Sequence, residues 1–535
     1  MNNQEAREQK YEELGYWQPY NFGDRLRQWA TRFSHNKAII DKQGVLTYHE
    51  FNQNVDNYVS HLYHLGLRKG DRVLVQLPNN RTFIVICFAL FRLGVIPILT
   101  TMAHRQHDLE SICQQGQPQG IITTKTFMGF NHAKMAQDLM EKHQSIQFLI
   151  IDRVLPSGNS LDSIAEPISA TAYSAPNYRD IALLLLSGGT TGAPKLIPRT
   201  HTDYAYFSMT AATVCRLNED SVYLAVLPAS HNFTLGCPGI LGTFSVGGCI
   251  VLAETPDSVL CFDLIEKHQV TITSLVPAIV SFWLTELSYH PHHFTSLSVL
   301  QIGGARLNPL VAEQIPRAFN CKLQQVFGMA EGLVCLTSLD DTDEVIYQSQ
   351  GYPLSIHDEI KIVDPQGQNV AMGEIGELLV RGPYTIRQYY QAPEHTLHSF
   401  TDDGYYCSGD LVRLTPQGYL VVEGRIKEQI NRAGEKIATA EIEDILCKVP
   451  HVHDAALLAL PDDILGEQSC AMLIADQRLT LAELHQHFKL QGIARYKWPD
   501  RVEYIAQFPL TKIGKVDKQQ LVRMVLCDRD ANDKV

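Results

Sequence analysis

The chain has 535 residues, of which 45% are hydrophobic and 19% are charged. Its 45 Lys and Arg against 58 Asp and Glu give a formal net charge of -13, which speaks against broad binding to nucleic acid or to an anionic membrane. The balance is that of a globular enzyme rather than a disordered or repeat protein, and the length predicts a large domain with at least one smaller one.

The amino terminus and the cysteines indicate a cytoplasmic protein. Residues 1–14 are polar and mixed in charge, unlike a secretory or transit peptide. The longest apolar stretch, FIVICFALF at 83–91, is too short to span a bilayer. The 12 cysteines are scattered, without a CxxC pair or a His/Cys cluster, so we expect neither a zinc site nor a disulfide framework.

Short apolar runs alternate with longer amphipathic segments from about residue 38 to 330. This alternation predicts an α/β fold, with a large domain of mixed, mostly parallel sheets covered by helices. Ligands in such sheets bind at the carboxyl ends of strands, so the glycine loops after Leu186 and Ile302 are candidate sites. Strands are predicted at 73–77, 120–124, 148–152, 222–228, 271–276 and 297–304, and one helix at 80–93.

The sequence pattern changes twice towards the carboxyl terminus. Residues 356–425 predict a β-rich subdomain, because DEIKIVD, GELLVRG and YLVVEGR are separated by Gly, Pro and Asp turns. Strand signals in VHDAALLALP and SCAMLIA, with a helix near 480–490, then indicate a small α+β domain. We predict an amino-terminal domain of residues 1–426 and a carboxyl-terminal domain of residues 427–535.

The stretch LLLLSGGTTGAPK at 183–195 places glycines, threonines and a lysine directly after a predicted buried strand at 181–186. Small residues leave backbone N–H groups uncovered, and such a loop can bind phosphate. It is not a Walker P-loop, which needs Ser or Thr after Gly-Lys, and no GxGxxG or GxSxG follows a strand. Taken alone, the loop is equally compatible with a solvated turn.

Six stretches follow one another along the chain. They are LLLLSGGTTGAPK, GGARL at 303–307, VFGMAEG at 326–332, YYCSGDLV at 405–412, GRIKEQINRAGEKI at 424–437 and PLTKIGKVDK at 509–518. Together they resemble the adenylate-forming superfamily, which contains acyl-CoA synthetases, luciferases and the adenylation domains of peptide synthetases. A further segment, LPASHNFTLGCPG at 227–239, is most similar to the aryl acid AMP ligases of siderophore biosynthesis, of the 2,3-dihydroxybenzoate-AMP and salicylate-AMP ligase type.

The resemblance implies two reactions. The carboxylate of an aryl acid attacks the α-phosphate of ATP and releases pyrophosphate, and the aryl group then passes to the phosphopantetheine thiol of an aryl carrier protein. ATP and Mg²⁺ are the implied cofactors, since charge accumulates on phosphorus during the attack. An aromatic acyl-CoA synthetase that uses free CoA is the nearest alternative. A non-catalytic nucleotide-binding relative is less consistent with the presence of Lys195, Glu331, Asp410 and Lys515 together.

The resemblance also assigns roles within the ATP site. Lys195 assists a loop that wraps the β- and γ-phosphates, Glu331 holds Mg²⁺, and Lys515 reaches the α-phosphate and the attacking carboxylate. Asp410 and Arg425 bind the ribose hydroxyls. The implied ATP-binding set is Ser187, Gly188, Gly189, Thr190, Thr191, Gly192, Gly303, Gly304, Ala305, Val326, Phe327, Gly328, Met329, Ala330, Asp410 and Arg425.

For the aryl acid, the resemblance implies that Asn232 hydrogen-bonds the carboxylate or 2-hydroxyl and that Phe233 stacks on the ring. His231 is implied to be a neighbour of the α-phosphate that shapes the site, and Gly303 and Val334 contribute to the ring pocket. Cys237 favours salicylate, because a thiol is a weak partner for a 3-hydroxyl, but both acids stay open.

The carboxyl-terminal domain is implied to be mobile. Relatives turn this domain after adenylation at a hinge that falls at Lys427 here. Glu428 stands where an aspartate is more usual, and either acid can serve.

Overall fold

The computed structural model describes residues 3–151, 153–155, 158, 160–161, 166–168, 172–187, 194–426, 429–509 and 516–532. The chain forms two compact units. The first is built from residues within 1–102, 112–187 and 195–424, and the second from 103–111 and residues within 425–535. A domain boundary between residues 426 and 427 stays a prediction.

Helices occur throughout the described chain. They are α1 (Asn3–Glu13), α2 (Phe22–Arg32), α3 (Tyr48–His64), α4 (Arg81–Leu93), α5 (Gln106–Gly116), α6 (His132–Lys142), α7 (His201–Val214), α8 (Asn232–Gly236), α9 (Gly239–Ser245), α10 (Ser258–His268), α11 (Pro277–Tyr289), α12 (Pro309–Ala312), α13 (Ile315–Phe319), α14 (Asp343–Gln348), α15 (Pro393–Ser399), α16 (Thr439–Leu446), α17 (Leu481–Leu490) and α18 (Lys518–Asn532), with a 3₁₀ turn at Arg495–Lys497.

The strands alternate with these helices. They are β1 (Lys37–Asp41), β2 (Gly44–Thr47), β3 (Arg72–Gln76), β4 (Ile96–Leu99), β5 (Gly120–Thr123), β6 (Thr126–Phe127), β7 (Phe130–Asn131), β8 (Phe148–Ile151), β9 (Ile181–Leu186), β10 (Leu196–Thr200), β11 (Val222–Ala225), β12 (Cys249–Leu252), β13 (Ile272–Leu275), β14 (Val299–Gly303), β15 (Lys322–Gly328), β16 (Val334–Leu336), β17 (Tyr352–Pro353), β18 (Glu359–Val363), β19 (Gly376–Arg381), β20 (Tyr406–Leu414), β21 (Leu420–Arg425), β22 (Gln429–Arg432), β23 (Glu435–Ala438), β24 (Val452–Asp462), β25 (Gly466–Ala475) and β26 (Arg501–Tyr504).

Two mostly parallel sheets carry the first unit. One has the order β17-β16-β15-β14-β13-β11-β12-β1-β2, and it is parallel from β15 to β1. The other has the order β10-β9-β4-β3-β5-β8. Its strand β9 runs parallel to β4, as the apolar run predicted, but β10 returns antiparallel beside it. The predicted α/β fold class, with mixed and mostly parallel sheets, is confirmed.

The apolar segment at 83–91 forms the buried helix α4. Its amino terminus is capped by Asn80, whose side chain accepts a hydrogen bond from the Phe83 amide, and it ends at Gly94 with φ +78°. Glycine tolerates this left-handed conformation without a steric penalty. Helix α4 is buried on every side, because α2 and α3 pack against it and it contributes to the main core of the first unit. The helix predicted at 80–93 is therefore confirmed.

The remaining sheets follow the predicted change of pattern. Strands β18-β19-β20-β21 form the β-rich part, in which β18, β19 and β20 pair antiparallel. In the second unit, β23-β22-β25-β24, with β26 beside β25, pack with helices α16 to α18 around separate cores, which fits the predicted α+β domain. No helix within the described residues combines the length and the apolar character needed to cross a membrane.

Candidate active site

Three loops that carry predicted site residues leave the same edge of one sheet. Strands β11, β14 and β15 belong to a parallel run, so their carboxyl ends point the same way. Asn232 and Phe233 follow β11, Gly304 follows β14, and Glu331 follows β15. Parallel sheets bind their ligands at this edge. The topology thus brings together residues that are far apart in the sequence.

A β-hairpin fixes both ends of the glycine-rich loop. In β9 and β10, Leu186 lies opposite Leu196. Beyond that pair, the Ser187 amide donates to the Lys195 carbonyl at 2.9 Å, and the Lys195 amide donates to Ser187 Oγ at 3.0 Å. The hairpin therefore sets where the loop begins and ends. The predicted phosphate-binding residues of the loop itself lie outside the described residues; they are Gly188, Gly189, Thr190, Thr191 and Gly192.

Glu331 lies in a tight turn between β15 and β16. The amide of Ile386 donates to the Glu331 carbonyl at 2.8 Å, which ties the turn to the neighbouring segment. A Cβ on Gly332 would lie 2.9 Å from Oγ1 and 3.0 Å from Cα of Thr385, so only glycine permits this approach. The Glu331 side chain is buried, with 8% of the residue exposed. Its carboxylate therefore has a position fixed by the backbone around it.

Tyr389 connects Glu331 to Lys195. The Tyr389 hydroxyl donates to Glu331 Oε1 at 3.0 Å and lies 3.1 Å from the hydroxyl of Tyr406. The ammonium of Lys195, also buried, lies 5.3 Å from the centre of the Tyr389 ring, within range of a cation–π interaction. Burial and the adjacent Glu331 carboxylate raise the pKa of Tyr389, so its phenol keeps the proton that it donates. One tyrosine thus contacts both the carboxylate and the ammonium, through its hydroxyl and its ring respectively.

Arg199 braces the same turn from inside the protein. Its guanidinium is fully buried and donates to Asp203 Oδ1 at 2.9 Å, to the Ala330 carbonyl at 2.9 Å and to the Tyr384 carbonyl at 3.1 Å. A buried charge requires such a partner set, because desolvation would otherwise be prohibitive. The Ala330 carbonyl directly precedes Glu331 in the chain. Arg199 therefore anchors the turn that carries the carboxylate.

Two of the predicted aryl acid residues, Phe233 and Gly303, pack against each other in the first unit. An added Cβ on Gly303 would lie 3.1 and 3.2 Å from two ring carbons of Phe233 and 2.8 Å from the Val326 carbonyl. The absence of a side chain at Gly303 therefore lets the Phe233 ring lie directly against the backbone of β14. Asn232 is half-buried, and its Oδ1 accepts a hydrogen bond of 2.9 Å from the Tyr204 hydroxyl. An aromatic ring and a fixed amide thus lie next to each other.

Three other residues of the predicted acid site are placed as follows. Cys237 is buried, and burial with the nearby Cys215 raises the pKa of its thiol well above the usual value, so it is a neutral group. Val334 is buried in β16, and its amide donates to the Tyr384 hydroxyl at 3.3 Å. His231 is exposed and caps α8, with Nδ1 accepting from the Phe233 amide at 3.2 Å.

The predicted adenosine residues are divided between the two units. Asp410 is buried in β20, and its amide donates to Ser408 Oγ at 3.0 Å. Gly304 has φ +83°, which a side chain would strain. Arg425 belongs to the second unit, where it donates to Gln429. Ala305 and Ala330 are half-buried. The other residues predicted to bind ATP lie in β15 or directly after it; they are Val326, Phe327, Gly328 and Met329.

Lys515 and the predicted hinge residue Lys427 lie outside the described residues. Their roles stay predictions.

The donor set fits Mg²⁺ bound together with a nucleotide. Mg²⁺ keeps several waters and is usually held by one or two carboxylates plus substrate phosphates. Glu331 supplies one buried carboxylate, and the described residues contain no group of three or more His, Cys, Asp and Glu side chains that could hold a metal without substrate. The site therefore suits a metal that arrives with its triphosphate.

Tyr389, Arg199 and Tyr204 were not predicted from the sequence. Arg199 lies in β10, which was not predicted as a strand, so its burial and its need for partners became evident only from the structure. No spacing distinguishes Tyr389 or Tyr204 from other aromatic residues of the core.

Comparison with protein families gives two matches that follow each other along the chain. The family described as AMP-binding enzyme matches residues 26–390. The AMP-binding enzyme C-terminal domain matches residues 441–515. Together these matches contain Lys195, Glu331 and Lys515.

Individual relatives extend over nearly the whole chain. The chain is 43% identical to the 2,3-dihydroxybenzoate-AMP ligase of Bacillus subtilis, over 96% of this chain and 95% of that protein. It is 41% identical to a salicylyl-CoA synthase / salicylate adenylyltransferase of Streptomyces, over 98% and 97%. Among solved structures, the apo structure of MbtA from Mycobacterium smegmatis superposes with a TM-score of 0.75, at 40% identity and 97% coverage of both chains.

Proposed function

We propose, since the chain belongs to the family of AMP-binding enzymes, that it activates an aryl carboxylic acid with ATP. The products are the aryl adenylate and pyrophosphate, and the acid is salicylate or 2,3-dihydroxybenzoate. The aryl group then passes to the phosphopantetheine thiol of an aryl carrier protein in siderophore biosynthesis. We assign this reaction to the cytoplasm.

The observation that carries the proposal is the grouping of Phe233, Asn232 and Glu331 at one edge of a parallel sheet. The Phe233 ring and the Asn232 amide, which follow β11, offer an aromatic surface and a polar contact to an aryl acid. The Glu331 turn follows β15 and leaves the same edge, where ligands of parallel sheets bind.

The residues of the first unit prepare the phosphates for attack. The backbone N–H groups of the loop after Ser187 cradle the β- and γ-phosphates, and the Lys195 ammonium offsets part of their charge. Glu331 would hold Mg²⁺, which when bound neutralises charge that develops on the transferred phosphoryl group. Asp410 accepts hydrogen bonds from the ribose hydroxyls. These groups hold the α-phosphorus where the acid carboxylate can reach it.

Lys515 supplies a second ammonium in this proposal. Its flexible stem suits a group that contacts the α-phosphate and the acid carboxylate during adenylation and then leaves. The carboxyl-terminal domain turns at Lys427 between the two reactions, which frees a path for the thiol.

A second candidate function is an aromatic acyl-CoA synthetase. It is favoured by the relative that carries the names salicylyl-CoA synthase and salicylate adenylyltransferase. Both functions share the adenylation step and differ only in the thiol that accepts the aryl group.

The test is isotope exchange between pyrophosphate and ATP with a panel of acids. Salicylate and 2,3-dihydroxybenzoate, offered separately and in competition, should support the fastest exchange, and fatty acids should support almost none. A panel led by fatty acids would refute the aryl assignment. Transfer from the adenylate to a phosphopantetheinylated aryl carrier protein, measured against free CoA, then decides between the two functions.

A further inference from the structure

A buried tyrosine fixes the orientation of the Asn232 side-chain amide. Tyr204 lies in α7 and has no exposed surface, and its hydroxyl donates to Asn232 Oδ1 at 2.9 Å. Burial raises the pKa of Tyr204, so the phenol retains the proton for this bond. An amide whose oxygen is engaged in this way presents its NH₂ group on the other side.

The Tyr204 ring has little freedom to move. The guanidinium carbon of Arg199 lies 4.8 Å from the ring centre, and the Phe207 ring lies 5.6 Å away. A Cβ on Gly236 would lie 3.1 Å from the Tyr204 hydroxyl, so the backbone at Gly236 also packs closely beside this oxygen. The phenol is therefore held rigidly, and the amide that it contacts is held in turn.

We propose that Tyr204 is a positioning residue that selects for acids with an oxygen ortho to the carboxylate. It does so by turning the Asn232 NH₂ group towards the acid, where it donates to the ortho oxygen. An ortho amine would instead place its own N–H donors against the N–H donors of Asn232, and one of these groups would lose its partner. The inference rests on the proposed function, since it assumes that an aryl acid binds beside Asn232.

The prediction concerns two acids that differ at one atom, salicylate and 2-aminobenzoate. In the wild-type protein, the ratio of kcat/KM for salicylate to that for 2-aminobenzoate is high. In Tyr204→Phe the amide can rotate and offer its oxygen to the amine, so the ratio should fall about 3- to 10-fold, the range of one hydrogen bond. The KM for ATP should stay within about twofold of the wild type, since the lost hydrogen bond is neutral and Tyr204 is not among the predicted ATP-binding residues.

Tyr206→Phe is the matched control. Tyr206 lies on the same helix, and its hydroxyl contacts Ser355 Oγ at 2.7 Å instead of an acid-binding group. Tyr206→Phe also loses one phenolic oxygen, but it should leave the ratio of kcat/KM for salicylate to that for 2-aminobenzoate unchanged. A purely structural role for Tyr204 would lower activity towards both acids equally, and an unchanged ratio in Tyr204→Phe overturns the inference.

A second variant decides the matter if Tyr204→Phe does not fold. Asn232→Asp keeps an acceptor for Tyr204 and replaces the NH₂ group by oxygen, so it should favour 2-aminobenzoate over salicylate. Retention of the wild-type preference by Asn232→Asp contradicts the orientation that we infer. If the wild-type protein shows no exchange with any aryl acid, the proposed function itself fails, and this inference fails with it.

Discussion

Replacing Gly303 by alanine adds one methyl group beside Phe233 and so tests whether these two residues belong to the acid site. The new Cβ would lie 2.8 Å from the Val326 carbonyl and 3.1 Å from the nearest ring carbon of Phe233. Favourable carbon contacts lie at about 3.5–4.0 Å, so both neighbours are too close by roughly half an ångström. The Val326 carbonyl cannot move far, because Gly303 and Val326 are paired in adjacent parallel strands. The Phe233 ring must therefore move away from Gly303, which displaces the aromatic surface predicted to stack on the acid.

Overpacking of this kind costs about 1–3 kcal/mol, which should lower the melting temperature by a few degrees. If a similar penalty falls on bound acid, the KM for salicylate should rise about tenfold or more, because about 1.4 kcal/mol corresponds to a factor of ten. The KM for ATP should rise less. Pyrophosphate exchange at varied acid and ATP concentrations gives both constants, and thermal unfolding gives the stability.

Gly376→Ala is the control for overpacking away from the site. Its Cβ would lie 2.6 Å from the Val363 carbonyl in the β18–β19 pair, a comparable backbone clash. This control should lose stability while keeping the wild-type KM for the acid. If Gly303→Ala behaves in the same way as the control, Phe233 and Gly303 do not belong to the acid site and the reasoning is wrong.

Four further outcomes are expected. Tyr389→Phe removes a hydrogen bond to the Glu331 carboxylate, so the Mg²⁺ concentration for half-maximal exchange should rise about tenfold, and an unchanged Mg²⁺ titration would count against this positioning. Cys237→Ser offers a hydroxyl to a 3-hydroxyl and should shift competition towards 2,3-dihydroxybenzoate. Lys515→Ala should nearly abolish exchange while ATP binding, measured calorimetrically, is kept. Burial raises the pKa of Asp358 to about 7 from 3.8, so the wild-type protein loses stability as pH rises from about 4 to 7. In chemical denaturation, the free energy of unfolding of Asp358→Asn relative to the wild type should therefore increase over the same range, by at most about 1.4 kcal/mol per pKa unit. A difference that does not depend on pH refutes the assignment.

The sequence predicted the fold elements well where one periodic pattern covers a whole element. The helix predicted at 80–93 is α4, and the strand predicted at 297–304 is β14, because long apolar runs are little affected by their surroundings. The antiparallel return of β10 was not predicted. The sequence of a short strand such as LIPRT does not determine whether it pairs parallel or antiparallel, because this depends on the strand beside it in the fold.

The sequence motifs name the candidate site residues, whose roles stay predictions. The resemblance to the adenylate-forming superfamily is confirmed, and the motifs that carry it include Glu331, Asn232 and Phe233. They do not single out Tyr389, Arg199 or Tyr204, whose roles come from partners on other elements. Arg199 contacts a carbonyl 131 residues away, and such a contact depends on the order of strands in the sheets.

A crystal structure with a stable analogue of salicyl adenylate bound would test the central claim most directly. We predict that the aryl ring stacks on the Phe233 ring, with the Asn232 NH₂ group donating to an oxygen of the acid and the ribose beside Asp410. An aryl ring bound elsewhere, or an Asn232 oxygen turned towards the acid, would contradict the account.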